Sequence, residues 1–154
     1  MIIGAKKMKK ETVIWLVVVL VLVLVLVGRM EQMAEGSPLE KWEIHIVNGL
    51  SKGQMLLVHC KSKDNDLGEH NLTAASEFNW SFRVNLWDST LFWCFLRKPN
   101  GQHKSFEAFW VEKESIWLYY RCLESNCTWT AKDDGIYLAN NPDKTQLLIH
   151  KWDN

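Results

Sequence analysis

The residues best suited to do chemistry lie close together near the middle of the chain. His59 directly precedes Cys60, and Asp64 follows four residues later. This is the residue set of a cysteine nucleophile activated by a histidine base. The mechanism needs a free thiol, because a cysteine bridged to a second sulfur cannot attack a substrate. Since the chain has the features of a secreted protein, described below, we expect Cys60 to be bridged and predict no catalytic residue.

Zinc binding is the second chemistry that the sequence could support. Cys122 and Cys127 lie five positions apart, and His150 follows later in the chain. Thiolate zinc sites suit reducing compartments, whereas paired cysteines are typical of small secreted domains. We therefore predict no zinc site.

Calcium binding is the third. The acidic side chains that follow Cys60 could supply oxygen ligands; they are Asp64, Asp66 and Glu69. Their spacing lacks the full EF-hand pattern, so a solvated loop is the better interpretation. The sequence thus predicts neither a metal ion nor a cofactor.

The beginning of the chain indicates its compartment. Four lysines between residues 6 and 10 precede an uncharged, Val/Leu-rich run over 12–28, as in a secretory signal peptide. We predict a signal peptide over 1–28, with cleavage as late as residue 36 as the alternative. A polar tether over 29–40 and a single domain over 41–154 would follow.

An uncleaved signal anchor is the competing interpretation of the same run. Its length of 17 residues falls short of the roughly 20 that a membrane-spanning helix needs. We therefore expect a secreted, extracellular protein with no membrane span once the signal is removed.

Composition argues against a nucleic-acid partner. From Ser37 onward, 118 residues carry 13 basic and 15 acidic side chains, a net charge of −2, whereas a phosphate backbone requires a basic surface. This length fits one domain, which we expect to be monomeric. Eight of the nine tryptophans lie here, and we expect most of them to pack in the core. Those assigned to packing are Trp42, Trp80, Trp93, Trp110, Trp117 and Trp129.

All four cysteines also follow Ser37; they are Cys60, Cys94, Cys122 and Cys127. An even number in a small secreted domain predicts two disulfides, for which three pairings are possible. Bridges between distant residues restrict the unfolded chain most, by about 3–4 kcal/mol each in the entropy model. On this ground we favour Cys60–Cys127 with Cys94–Cys122 over a local bridge between Cys122 and Cys127.

Hydrophobic residues recur with the period of β-strands. Residues 42–46 and 80–86 alternate apolar and polar side chains, as strands with one solvated face do. Residues 91–96 are apolar at every position, which predicts a strand buried on both faces. Further strands are predicted at 105–111, 116–122, 136–138 and 147–150.

Turn sequences separate these strands. Lys98-Pro99-Asn100-Gly101 has the residue types of a type I turn, and 133–135 and 140–143 carry similar Asp, Asn, Gly and Pro signals. About eight or nine short strands with frequent turns predict an all-β chain, folded as a small antiparallel β-sandwich. We find no convincing helix after the signal segment.

Three sequons could accept N-linked glycans in a secreted chain: Asn71-Leu72-Thr73, Asn79-Trp80-Ser81 and Asn126-Cys127-Thr128. We predict a glycoprotein with Asn71, Asn79 and Asn126 as its acceptors. Asn71 is the preferred one because we place it in a long loop. An acceptor within a strand or beside a bridged cysteine is often skipped.

Several short blocks, in order along the chain, resemble those of the plant self-incompatibility protein S1 family, also called S-protein homologues. The most specific block joins His59-Cys60-Lys61-Ser62-Lys63-Asp64 to Asp66-Leu67-Gly68. The other blocks are 48–50, 80–83, 90–94, 121–122, 127–129, 133–138 and 151–152. Together they extend over nearly all of the chain after the signal segment.

The resemblance implies a secreted, disulfide-stabilised β-sandwich that binds a partner protein and is not an enzyme. Founding members of the family act in the pistil as female determinants, which arrest incompatible pollen through a pollen surface receptor. Many relatives carry a further pair of cysteines, where this chain has residues such as Tyr137 and His150. We interpret this difference as a lost bridge, which leaves the terminal strand held by packing alone.

A cell-surface receptor, or another extracellular protein, is the expected partner in extracellular cell–cell signalling. We place its binding on exposed loops of the rigid sandwich, namely 63–71, 97–104 and 132–134. The candidate contact residues are Lys63, Asp64, Asp66, Glu69, Lys98, Asn100, Gln102, Lys132, Asp133 and Asp134. A glycan-binding sandwich that uses exposed aromatics such as Trp87 or Trp110 is the alternative from another class. A defence protein, toxin-like or inhibitor-like, on the same sandwich is a third possibility.

Overall fold

The computed structural model describes residues 14–24, 41–87, 89–112 and 116–154. The chain divides into two units, Met1–Ser37 and Pro38–Asn154. In the first unit, helix α1 spans 14–24, inside the predicted signal peptide. No helix in the described ranges is both long enough and apolar enough to cross a membrane. The rest of the predicted signal peptide, both cleavage positions and the tether over 29–40 lie outside the described residues.

The second unit contains nine β-strands among its described residues. In chain order they are β1 (Lys41–Asn48), β2 (Leu56–Lys61), β3 (Asp66–Leu72), β4 (Glu77–Arg83), β5 (Leu91–Arg97), β6 (His103–Trp110), β7 (Asn126–Lys132), β8 (Gly135–Asn140) and β9 (Thr145–His150). A short helix, α2 (Trp117–Arg121), and a 3₁₀ turn (Leu123–Ser125) lie between β6 and β7. The all-β prediction and the expected number of strands are confirmed.

The strands form two sheets that pack face to face. The first sheet has the order β4-β1-β7-β8-β9 and the second has the order β3-β2-β5-β6. Neighbouring strands are antiparallel except β1 and β7, which run parallel. Trp129 of the first sheet packs on Phe106 of the second, with 4.9 Å between ring centroids. Its Nε1 donates a hydrogen bond to the carbonyl of Ala108 at 3.0 Å, so the predicted β-sandwich is confirmed.

The period-two pattern of β1 is confirmed, since Trp42, Ile44 and Ile46 are buried. The prediction for β5 is wrong in one respect. Its even-numbered residues are buried, but Leu91, Trp93 and Phe95 are only half-buried. The second sheet uses one face for the core, so alternate side chains of β5 point to the other face.

The preferred disulfide pairing is wrong. The structure joins Cys60 to Cys94 and Cys122 to Cys127, so that all four cysteines are bridged as predicted. Cys60 and Cys94 lie directly opposite each other on β2 and β5, with their Cα atoms 4.0 Å apart. The entropy argument compares how strongly each pairing would restrict the unfolded chain. The register of the strands, however, determines which cysteines come within bonding distance in the folded protein.

The predicted strand over 116–122 is also wrong, because 117–121 form α2 and the two flanking residues belong to no strand. The carboxylate of Glu112 accepts hydrogen bonds from the backbone N–H of Leu118 at 2.9 Å and of Tyr119 at 3.1 Å. These are amides that the first turn of a helix leaves without an internal partner. A bridge between Cys122 and Cys127 also requires the chain to turn back within five residues. Both constraints override the strand preference of the local aromatic sequence.

The loop predicted over 63–71 is mostly strand. Only a short turn, 62–65, connects β2 to β3, and Asp66, Glu69 and Asn71 lie on β3 itself. β3 is an edge strand of the second sheet. Polar residues are common on edge strands, where they discourage pairing with another chain. The polar residues of β3 made this segment resemble a loop in composition.

The end of the chain is fixed by more than packing, contrary to our interpretation of the missing bridge. β9 pairs with β8, and Trp152 Nε1 donates to the carbonyl of Lys132 at 2.8 Å. Lys104 Nζ lies 3.0 Å from a carboxylate oxygen of Asp153. Gly135 permits the close approach of β9, because a Cβ at this position would collide with the carbonyl of His150.

Candidate binding surfaces

The strand registers place the predicted loops at two opposite ends of the sandwich. Arg97, at the end of β5, lies opposite Leu57, near the start of β2, whereas Lys61, at the end of β2, lies opposite Trp93. The turns 98–102 and 62–65 therefore lie at opposite ends of the second sheet. Lys63 and Asp64, both exposed in the turn 62–65, do not share a surface with the other predicted loops.

Lys98 joins the other two loops. We call the turns 98–102 and 132–134 together the polar end. The Lys98 side chain is buried, with the residue 7% exposed. Its Nζ donates to the carbonyl of Asp133 at 3.0 Å and lies 4.8 Å from the ring centroid of Trp152. Burial lowers the pKa of Lys98, and the negative charges of Asp133 and Asp134 oppose that shift. Lys98 therefore positions the polar end and does not offer its own charge to a partner, contrary to its predicted contact role.

The turn 98–102 is held in one conformation. The backbone N–H of Gly101 donates to the carbonyl of Lys98 at 3.0 Å, as the predicted turn requires. The Asn100 side chain accepts from the backbone N–H of Gln102 at 3.1 Å and donates to its side-chain oxygen at 3.0 Å. Asn100 is exposed and Gln102 is half-buried, so both remain candidate contacts.

The turn 132–134 is fixed in a similar way. An Asp133 carboxylate oxygen accepts from the backbone N–H of Ser51 at 3.1 Å, and hydrogen bonds from Ser51 lower the pKa of Asp133. Asp134 accepts from the Tyr137 hydroxyl at 2.7 Å, which raises the pKa of that hydroxyl. Lys132 Nζ lies 4.5 Å from the Tyr137 ring centroid. The acidic groups of this turn are exposed and held in place.

A second surface is the side of the second sheet that points away from the core, which we call the outer face. Directly paired residues of neighbouring strands share a face. The residues of the outer face are Asp66, Glu69 and Asn71 of β3, Leu57, His59 and Lys61 of β2, Leu91, Trp93, Phe95 and Arg97 of β5, and His103, Ser105, Glu107 and Trp110 of β6. The aromatic rings of β5 thus lie between two polar rows.

Hydrogen bonds fix the polar row beside β3. His59 Nε2 lies 2.7 Å from an Asp66 carboxylate oxygen, and the same oxygen accepts from the backbone N–H of Gly68 at 2.9 Å. The Gly68 N–H and, next, His59 hold the pKa of Asp66 below its usual value. Since the ionised carboxylate only accepts, it directs the His59 proton to Nε2. Gly68 has a φ of +82°, a conformation that glycine adopts readily.

A shallow pocket of about 300 Å³ lies where the outer face meets the turn 98–102. Asn71, Arg97 and Leu57 line it, together with Met55 and Pro99. It combines apolar walls with an amide and a guanidinium group. The pocket thus extends the outer face beyond the aromatic row.

The two aromatic residues predicted to bind glycans, Trp87 and Trp110, differ in solvent exposure. Trp87 is 85% exposed. Trp110 is half-buried and stacks on Trp117 with 6.0 Å between ring centroids, so it is not an exposed platform. The sequence reasoning missed Trp93 and Phe95, although the apolar run over 91–96 was the available signal. We assigned both faces of that strand to the core.

The three sequons lie on strands, and their occupancy stays a prediction. Asn71 is exposed on β3, not in a loop as we expected, and Asn79 is exposed on β4. Asn126 is half-buried at the start of β7, with its Nδ2 3.4 Å from His45 Nε2. It also directly precedes the bridged Cys127.

In the described part of the chain, no group of three or more His, Cys, Asp or Glu residues could hold a metal ion. The two candidate surfaces offer hydrogen-bonding groups, charged side chains and aromatic rings.

Comparison with known proteins decides the family. The sequence profile of the plant self-incompatibility protein S1 family matches residues 43–152, which includes all nine strands apart from the first two residues of β1. The chain belongs to this family. The chain is secreted, as are the small plant proteins to which it is similar.

Individual relatives agree with this assignment. The chain is 44% identical to S-protein homolog 1 of Arabidopsis thaliana over 115 residues, which are 75% of this chain and 74% of that one. It is 32% identical to self-incompatibility protein S1 of Papaver rhoeas over 108 residues, 70% of this chain and 75% of the relative.

A solved structure shares the fold of this family member. It is that of an SPH (self-incompatibility protein homologue), from a family described as widespread, small, highly stable, secreted proteins from plants. The TM-score is 0.55 at 19% identity, over 75% of this chain and 97% of that one.

Proposed function

We propose that this S-protein homologue is a non-enzymatic extracellular ligand that acts in cell–cell signalling by binding a cell-surface protein through its polar end. Pollen–pistil recognition is one such process, and the S1 relative of Papaver rhoeas carries self-incompatibility in its name. The observation that supports the proposal is the Lys98 contact, which joins two of the predicted partner loops into one surface.

The physical argument is preorganisation. Both turns are tied by hydrogen bonds to their own side chains and to neighbouring elements. Little conformational entropy remains to be lost when such loops bind, so more of the contact energy appears as affinity. Exposed carboxylates of the turn 132–134 would steer a basic patch of the partner and add specificity.

The test is binding of the labelled secreted protein to intact plant cells. We expect saturable binding that unlabelled protein displaces. The variant Asn100→Ala/Asp134→Lys should weaken this binding by about tenfold or more. It reverses one exposed charge and removes the hydrogen bonds by which Asn100 and Asp134 hold the two turns. Its thermal unfolding should stay close to wild type.

The matched control changes the opposite end. Lys63→Ala/Asp64→Asn alters two exposed residues of the turn 62–65 and should leave cell binding unchanged. Equal losses for both variants would contradict the assignment to the polar end. Absence of saturable binding to cells of pistil, pollen, root and seed would contradict the proposed function.

A further inference from the structure

Trp93 and Phe95 form the aromatic row of the outer face, and neither ring belongs to the core. Leu91, Trp93 and Phe95 are half-buried and stand apart from the buried cluster and the residues packed against it. Successive side chains on one face of a strand are about 6.7 Å apart. Trp93 and Phe95 therefore present two neighbouring rings along one line on the outer face.

Polar groups border this row on both sides. The pairs Glu69–His59 and Asn71–Leu57 lie on the β3 side, and Ser105 and Glu107 lie on the β6 side, opposite Phe95 and Trp93. Lys61 Nζ lies 5.9 Å from the Trp93 ring centroid. Flat apolar rings next to closely spaced donors and acceptors fit a molecule with apolar C–H faces and hydroxyl edges, which is the chemistry of a pyranose ring.

Charge limits the class of ligand. The outer face carries two permanent cations, Lys61 and Arg97, and three carboxylates, on Asp66, Glu69 and Glu107. This balance of −1 gives no attraction for a polyanion such as a sulfated or uronic-acid chain, for which a surplus of cations is needed. A neutral glycan meets no such penalty.

The small apolar area argues against a second copy of the chain as the occupant. A stable dimer buries about 800 Å² from each partner, with an apolar core depleted of charge. Here the apolar side chains Leu91, Trp93 and Phe95 come from a single strand and are already half-buried. Charged residues flank them. A ligand about one ring wide matches this surface better.

We propose that the outer face binds a neutral oligosaccharide, which stacks on Trp93 and Phe95 and hydrogen-bonds to His59, Asn71 and Arg97. The pocket of about 300 Å³ beside Arg97 receives the next sugar unit, and its volume lies at the lower end of that of small-molecule sites. The pocket borders the turn 98–102 of the polar end, but the stacking rings lie on the outer face, so the proposal does not rest on the proposed function.

Calorimetric titration tests the proposal with a panel of neutral hexaoses: cellohexaose, mannohexaose and xylohexaose. Hexagalacturonate is the anionic comparison. Because Asn71 lies in a sequon beside the pocket, the titrations use Thr73→Ala, which removes the sequon but keeps the Asn71 side chain. We expect at least one neutral hexaose to bind and hexagalacturonate to bind more weakly.

Two substitutions on the outer face locate the site. Trp93→Leu and Phe95→Leu keep an apolar side chain but remove the flat ring, and each should lower the affinity about fivefold or more. Trp87→Ala removes the ring of a tryptophan that is 85% exposed outside the outer face and should leave the affinity unchanged. Circular dichroism and thermal unfolding show that each variant folds.

Three results would overturn the proposal. The first is no binding of any neutral hexaose, or tighter binding of hexagalacturonate. The second is unchanged affinity in folded Trp93→Leu and Phe95→Leu. The third is a wild-type dimer in analytical ultracentrifugation that Trp93→Leu converts to a monomer, which would assign the outer face to a second copy. Loss of glycan binding with intact cell binding would leave the polar-end function standing.

Discussion

The two sheets of this sandwich differ in what they show to solvent. Outward side chains of β4, β1 and β7 in the first sheet are mainly polar, such as Glu43, Asn79 and Thr128. The second sheet shows an aromatic row, Trp93 and Phe95, between polar rows. Both sheets bury their other face in a common core, so the core alone does not require these outward rings.

An apolar strand is therefore not always buried on both faces. Burial of an aromatic ring stabilises the fold through the area removed from water. A half-buried ring contributes less of that stabilisation to the fold. Its exposed area can still be buried by a ligand. Substitutions in the two sheets should therefore differ in how much they lower the free energy of unfolding.

The sharpest test compares one tryptophan from each sheet. Trp129→Ala should lower the free energy of unfolding by about 4 kcal/mol, because Trp129 is fully buried and the change leaves a large cavity. Trp93→Ala on the outer face should lower it by about 1 kcal/mol. Urea denaturation monitored by far-UV circular dichroism measures both. Similar losses would mean that the outer face contributes to stability as the core does.

The two disulfides provide the next test. Cys60→Ala/Cys94→Ala should lower the free energy of unfolding by about 4 kcal/mol, and Cys122→Ala/Cys127→Ala by about 2 kcal/mol. The sequence separations of 34 and 5 residues determine this order in the chain-entropy model. Urea denaturation of both double variants at pH 7 checks it. A larger loss for the local bridge would show that α2 depends on it for folding.

The contact of Lys98 with Asp133 connects the two sheets at the polar end. Lys98→Met keeps most of the apolar stem but loses one hydrogen bond to a carbonyl, so the free energy of unfolding should fall by about 1 kcal/mol. The lowered pKa of Lys98 indicates that burial already disfavours its charge, which limits the loss. Lys63→Met at the opposite end is the control and should unfold like wild type. A loss above about 3 kcal/mol would mark Lys98 as part of a buried network.

Sequence reasoning was most successful where local pattern and tertiary structure agree. Alternation in β1 predicted its buried residues, and Lys98-Pro99-Asn100-Gly101 predicted a turn. It failed where the local structure depends on residues that are distant in the sequence. Cys60 meets Cys94 through the register of β2 and β5, and no property of the spacing between the two cysteines reveals that register.

The same reason explains the two misassigned segments. The amides of α2 are satisfied by Glu112 from outside the helix, while the local aromatic sequence favours a strand. β3 is polar because it lies at an edge, and an edge position follows only from the complete sheet. The candidate surfaces were predicted in part: the turns were found as separate loops, but their junction through Lys98 and the outward position of Trp93 required the fold.

The smallest expected effect concerns the polar row of the outer face and depends on pH. The Gly68 N–H and then His59 hold the pKa of Asp66 below its ordinary value, which is about 3.9. The folded state therefore binds the Asp66 proton less readily than the unfolded state does. The resulting stabilisation is present above the ordinary pKa and is lost as pH falls through the lowered one.

Asp66→Asn should show a lower Tm than wild type at pH 5, with the difference shrinking toward pH 2.5. Thermal unfolding across this range measures it, with Asp64→Asn in the neighbouring turn as the control. Parallel curves for wild type and Asp66→Asn would mean that the carboxylate does not hold the outer face together. The first surface to reconsider would then be the His59 side of the proposed glycan site.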